Sequence, residues 1–291
     1  MVLGAVLARI NLKAGRGDRA GAFRVAVFNF LVTLAAWLLS ASHFAALGTE
    51  VSRVFAGIGM ALFDTAVVWL TYLGLEPYVR RYSPDSILGW TTLVSGRWRD
   101  PRVGVDVMIG LAAGLGMTIL YAAHNLVPTL AGRLEPMPFE PSIDTLNGLR
   151  FIFAAITRQL SAALTSGLLG VAGIVGFVLL FKRPIAAGLA GVVCFTPVII
   201  SGMFPGTTPV LDVAIGLGIA AIFVATILRA GLLSVIVALF THFILLRAPI
   251  TTDFSSWHAA TGIWYVGLLL TVGLGACYFA RYGEGERVTT S

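Results

Sequence analysis

The residues that could do chemistry inside apolar sequence are few: Asp64, Arg158, His43, His124, His242, His258, Cys194 and Cys277. Asp64 sits near the middle of the apolar run 54–79, where an ionisable group is costly unless it is paired, protonated or hydrogen-bonded. His43, His124 and Arg158 are its conceivable partners. A proton or ion pathway normally needs several such groups, and Asp64 is the one clear intramembrane acid in this reading. A structural acid is therefore the first expectation for Asp64, and a polar pathway the second. The four histidines fall near the ends of apolar runs and form neither HExxH nor a close His/Asp pair, so no metal site is expected and interfacial packing is. No GxSxG elbow is present, and serines such as Ser161 and Ser234 have the ordinary fate of bonding back to the preceding helical turn. The cysteines lie inside apolar runs and read as packing residues. No catalytic or cofactor-binding residue is expected, and no cofactor.

The elements that must position these groups follow from composition. Of 291 residues, 57% are hydrophobic and 12% are charged, with 33 glycines. So much apolar surface cannot be hidden in one aqueous core, and the chain reads as an all-α, polytopic membrane helix bundle. That excludes a soluble enzyme domain, and the net charge of +6 reflects orientation, not nucleic-acid binding. Apolar runs at 25–47, 54–79, 105–126, 160–181, 184–203, 211–228, 230–246 and 259–280 predict eight spans. The run 211–246 would be about 54 Å as one helix, too long for a bilayer of about 30 Å, so a break is expected at Arg229-Ala230-Gly231. A short interfacial helix, with Arg158 snorkelling, is expected to lead into 160–181. A further interruption is expected at Pro197. Residues 1–8 read as the end of a truncated membrane helix, 9–24 as a basic cytoplasmic loop, and 25–291 as the multi-span domain. Within that domain, 80–104 is expected to be an interfacial cytoplasmic segment and 127–150 an outer loop. Glycine patterns such as Gly110-xxx-Gly114, and Gly170, Gly173 and Gly176, read as helix-packing surfaces.

Charge sets the orientation. Grouping 9–24, 80–104, 182–183, Arg229 and the tail from Arg281 collects 15 of the 20 basic residues on one side. The positive-inside rule makes that side cytoplasmic, the C-terminus included. Glu76, Arg80, Arg81, Trp90, Arg97, Trp98, Arg99 and Asp100 alternate with apolar residues in this region. They suit an interfacial helix whose tryptophans sit at headgroup depth and whose arginines face anionic lipid, or else a docking site for a soluble domain.

Two stretches carry more than generic membrane sequence. One is Asn11-Leu12-Lys13-Ala14-Gly15-Arg16-Gly17-Asp18-Arg19-Ala20-Gly21-Ala22-Phe23-Arg24, followed by Glu76-Pro77-Tyr78-Val79-Arg80-Arg81 and Gly96-Arg97-Trp98-Arg99-Asp100-Pro101. The other is Pro249-Ile250-Thr251-Thr252-Asp253-Phe254-Ser255-Ser256-Trp257. In this order and spacing they resemble the C-terminal multi-span membrane region of bacterial receptor-like serine/threonine protein kinases. Asp64 and His258 depart from that pattern, standing where apolar or aromatic residues are expected. The glycine-rich loop, HRD and DFG of a kinase are absent from the sequence, so any kinase activity would reside in another, N-terminal domain. The resemblance implies a membrane-anchoring and sensory domain of a signalling protein, partnered by the bilayer and a cytoplasmic kinase domain. The alternative is a secondary transporter or channel-like protein using Asp64.

Overall fold

A computed structural model describes residues 2–15, 17–42, 46–82, 84–132, 143–204, 206 and 208–283. Among the described residues the chain is helical throughout. The helices are α1 (Val2–Lys13), α2 (Arg19–Ser40), α3 (Leu47–Tyr82), α4 (Asp85–Val94), α5 (Pro101–Leu130), α6 (Leu149–Phe181), α7 (Pro184–Met203), α8 (Pro209–Arg247) and α9 (Ala259–Tyr282), with a 3₁₀ turn at Ile143–Asn147. Seven of them, α2, α3 and α5–α9, are long and apolar enough to cross a membrane. Large apolar side chains such as Phe55, Ile119, Leu180 and Val193 stay exposed on their outer faces, as a lipid solvent requires.

The helix α8 makes two passes, not one. Against α5, its contacts run in opposite directions on either side of Gly231. In the first half, Leu120 faces Gly218 and His124 bonds Asp212. In the second half, Asp106 bonds Ser234, Gly110 faces Val237, and Thr118 bonds His242. Thr118 and His124 lie about 9 Å apart along α5, whereas Asp212 and His242 would be about 45 Å apart on an unbroken helix. The chain reverses at Gly231, whose φ of 88° and ψ of −164° are non-helical. A side chain there would run into the carbonyl of Ser86 on α4, so both the backbone angles and the close approach require glycine. The expected break and the eight-pass count are therefore met inside one continuous run of apolar sequence.

Other boundaries move. Residues 9–24 are not a loop: α1 runs to Lys13 and α2 starts at Arg19, where the Asp18 carboxylate accepts from the Gly21 N–H at 2.8 Å and caps the helix. The helix α2 ends at Ser40, not 47. Within 80–104, α4 and the start of α5 are helical, and 127–150 contributes the end of α5, the 3₁₀ turn and the start of α6. The separate interfacial helix before 160 does not form, because no glycine or proline before Gly167 breaks α6. Likewise α7 continues through Pro197. The small-residue reading of α5 holds at Gly110 and Gly114, where an added Cβ would meet the carbonyls of Ser234 and Ala238 at 2.6 and 2.5 Å.

Candidate functional site

At the end of the bundle where the Gly231 turn lies, the first set of motif residues meets in space. Pro77 stands inside α3 and offers no N–H to the carbonyl of Leu73, one turn earlier. Asn11, buried on α1, supplies the missing donor: its Nδ2 reaches the Leu73 oxygen at 3.0 Å and that of Gly74 at 3.2 Å. The Asp18 N–H donates to Glu76 Oε2 at 3.3 Å, and the opposite oxygen of Glu76 accepts from Arg80 Nε at 2.6 Å. Glu76 is buried while Arg80 stays open to solvent. Arg24 reaches across to the carbonyl of Val94 at the end of α4. The α1–α2 corner, the end of α3 and α4 are thus one bonded platform.

The Gly96–Pro101 block extends the platform to α9. Asp100 accepts from the Arg102 N–H at 2.9 Å and caps α5. Trp98 packs edge-on against Phe279 with 5.2 Å between ring centres, and the Arg99 guanidinium lies over the Trp98 ring at 4.5 Å. Arg81 and Arg97 are exposed. Trp90 corrects the expectation of two headgroup-level tryptophans: only 6% exposed, it packs into the main apolar core, and Trp98 alone remains half exposed. At the opposite end, Asp253 accepts from the Ser255 N–H and from the hydroxyls of Ser255 and Ser256. The Ser255 hydroxyl foremost, then the Ser255 N–H and the Ser256 hydroxyl, hold this carboxyl below the usual carboxylate range. Phe254 and Trp257 beside it are exposed.

Inside the bundle, Asp64 lines a cavity of about 480 Å³ together with Arg158, Trp37 and Ser161. Of its conceivable partners, Arg158 thus shares its space, His43 lies outside the described residues, and His124 is engaged elsewhere. His124 and Asp212 form a pair the sequence reading did not contain. They are 0% and 1% exposed, and His124 Nε2 donates to Asp212 Oδ1 at 2.6 Å. The Thr208 hydroxyl donates to the same oxygen at 2.9 Å, and Phe204 stacks on the imidazole at 4.2 Å. Asp212 lies in the first turn of α8, where the helix dipole favours a carboxylate. Asp64 is therefore not the only acid within the bundle, and His124, near the end of its span, is buried and bonded to a carboxylate. The pair joins residues 88 positions apart, so only the residue types, an acid just after Pro209 and a histidine near the end of α5, could have flagged it.

His242, five residues before the end of α8, is buried as well. It is 2% exposed and its Nδ1 lies 3.0 Å from Thr118 Oγ1. The Thr118 hydroxyl also lies 2.8 Å from the carbonyl of Gly114, so it links the imidazole to the backbone of α5. Its Nε2 is sealed within the packing and has no partner among the described residues, and the residue lines a cavity of about 550 Å³ between α6, α7 and the two halves of α8. Among the described residues no three His, Cys, Asp or Glu side chains gather to hold a metal ion.

No family model, curated protein or solved structure matches this chain. Its function is read from these sites alone.

Proposed function

We propose that the chain is a non-catalytic membrane-anchoring and sensory domain of a serine/threonine kinase-type signalling protein. It would sit in a bacterial inner membrane with the platform end and the C-terminus in the cytoplasm, its arginines against anionic lipid. The observation that carries this reading is the convergence of the motif stretches 11–24 and 76–81 through Asn11, Asp18 and Glu76. Such bonding ties α1 to the bundle, so a shift in helix packing would move α1 and whatever is joined to it. The test is the cell's own product. An immunoblot against the C-terminal tail, with the DNA upstream of the Met1 codon sequenced, is expected to find a product longer than 291 residues with a kinase domain in frame. A product of 291 residues with no kinase attached contradicts the reading.

A second reading, a transporter or channel-like protein, is favoured by the cavity that Asp64 and Arg158 share. It requires that Asp64→Asn abolish a pH-coupled flux in vesicles. An unchanged flux would remove it.

A further inference from the structure

The cavity that Asp64 and Arg158 share lies between α2, α3 and α6, and its volume of about 480 Å³ falls within the range of small-molecule pockets, roughly 300–1,000 Å³. Its wall on α6 is polar over about 12 Å of the helix axis, from Arg158 through Ser161 to Thr165 and Ser166. Ser161 is tied into the packing: its hydroxyl donates to Asn29 Oδ1 at 2.9 Å and stands 3.0 Å from the Thr33 hydroxyl. Elsewhere in the bundle Thr118, Thr196, Thr226 and Thr241 each donate to the carbonyl four residues back, the ordinary fate of a hydroxyl in an apolar helix. Thr165 and Ser166 make no hydrogen bond with any described residue, so their hydroxyls are left to the cavity. The two charges are equally unengaged, since neither Asp64 nor Arg158 is hydrogen-bonded or ion-paired among the described residues. They are also offset. Gly57 packs on Trp37 and Gly21 on Tyr72, so α2 and α3 run antiparallel and Asp64 is level with Asn29, the partner of Ser161. Arg158 lies one turn away from Ser161, on the side opposite Thr165, and near enough to Arg247 for the two positive charges to repel.

We propose that this cavity binds a free amino acid with an apolar side chain, its ammonium group on Asp64, its carboxylate on Arg158 and its side chain against Trp37 and Met60, which also line the space. The inference deepens the transport reading, on whose cavity it rests, and names the signal if the domain senses instead of transports. A zwitterion answers both charges at once, whereas a simple amine leaves Arg158, and a simple carboxylate leaves Asp64, in low-dielectric surroundings without a counter-charge. The ammonium brings three N–H donors, more than the one carboxylate needs, and the hydroxyl oxygens of Thr165 and Ser166 accept the remainder. The carboxylate accepts from the planar fork of the Arg158 guanidinium, the geometry that suits it best.

The experiment uses the full chain purified in nanodiscs, with tritiated L-leucine as the probe. The competitors are 3-methylbutylamine, which is leucine without its carboxylate, and 4-methylpentanoate, which is leucine without its ammonium. Saturable binding of one leucine per chain is expected, with each competitor about tenfold weaker. Asp64→Asn is expected to weaken leucine about tenfold and to leave 4-methylpentanoate unchanged, while Arg158→Gln weakens leucine as much and leaves 3-methylbutylamine unchanged. A chain that is merely loosened does not give this crossed pattern. Thr165→Val tests the site even if the charge variants fail to fold. Its hydroxyl bonds nothing in the described protein, so the fold is kept while leucine binding falls about threefold. Absence of saturable leucine binding, competition by the amine and the acid as strong as by leucine itself, or unchanged leucine binding in folded Asp64→Asn and Arg158→Gln would overturn the proposal. Leucine binding without flux in vesicles supports this site and removes the transport reading. An Asp64-dependent flux without leucine binding keeps that reading and overturns the site.

Discussion

The platform at the Gly231 end and the histidine-lined interior hold the same bundle together by opposite means. At the platform, polar side chains mostly serve the backbone: Asn11 bonds the Leu73 carbonyl freed by Pro77 and that of its neighbour Gly74, Asp18 and Asp100 cap helices, and Arg24 bonds a helix end. In the interior, side chains bond side chains between distant helices, His124 to Asp212 and His242 to Thr118. The platform's needs are created by local events, a proline or a helix start, and are met by residues in short motifs. The interior's needs exist only once the helices have packed.

That contrast predicts a graded set of mutational effects, each measured by unfolding in mixed detergent. Gly231→Ala is expected to be the most damaging, at about 4 kcal/mol, because it combines a disfavoured backbone conformation with overpacking against Ser86. A cost near zero would mean that the reversal at Gly231 is not as tight as described. Asp212→Ala leaves His124 buried without its carboxylate and is expected to cost about 3 kcal/mol. A double-mutant cycle with His124→Ala should recover most of that as coupling, and additivity would break the pair apart. Asn11→Ala leaves the Leu73 and Gly74 carbonyls in a buried site with one donor fewer, for about 1–2 kcal/mol. If Asn11→Ala cost more than Asp212→Ala, the distinction between the two regions would fail.

The smallest effect belongs to Asp253. Its folded carboxyl is held below the ordinary range, so its contribution is present above the pH where the unfolded carboxyl titrates and is lost as pH falls through the folded value. Asp253→Asn should remove that acid-side dependence and change little near neutrality. Greater stability of the wild type at low pH than at neutral pH would reverse the sign.

The same contrast explains what the sequence reveals. Eight passes, the break near Gly231, the packing glycines on α5 and the clustering of basic residues are legible because they depend on composition and on residues close in the chain. Helix ends are less so: α6 runs through Arg158 because nothing local stops it, and Trp90 is taken inward by core packing that no periodicity announces. The sequence singles out Asp64 because it stands alone in an apolar run. It hides Asp212, which follows a proline at a span edge, although Asp212 is the more deeply buried and the better bonded of the two. His242 acquires its meaning only from Thr118, 124 residues earlier.

The most direct measurement is cysteine accessibility across the Gly231 turn. In a chain with Cys194 and Cys277 replaced by alanine, single cysteines at Gly206 and Thr251 would be labelled with a membrane-impermeant maleimide in intact cells and in inverted vesicles. Reversal of α8 places both on the same side, opposite a cysteine at Gly96. Labelling of Gly206 and Thr251 from opposite sides would make α8 a single pass and contradict the architecture on which both sites depend.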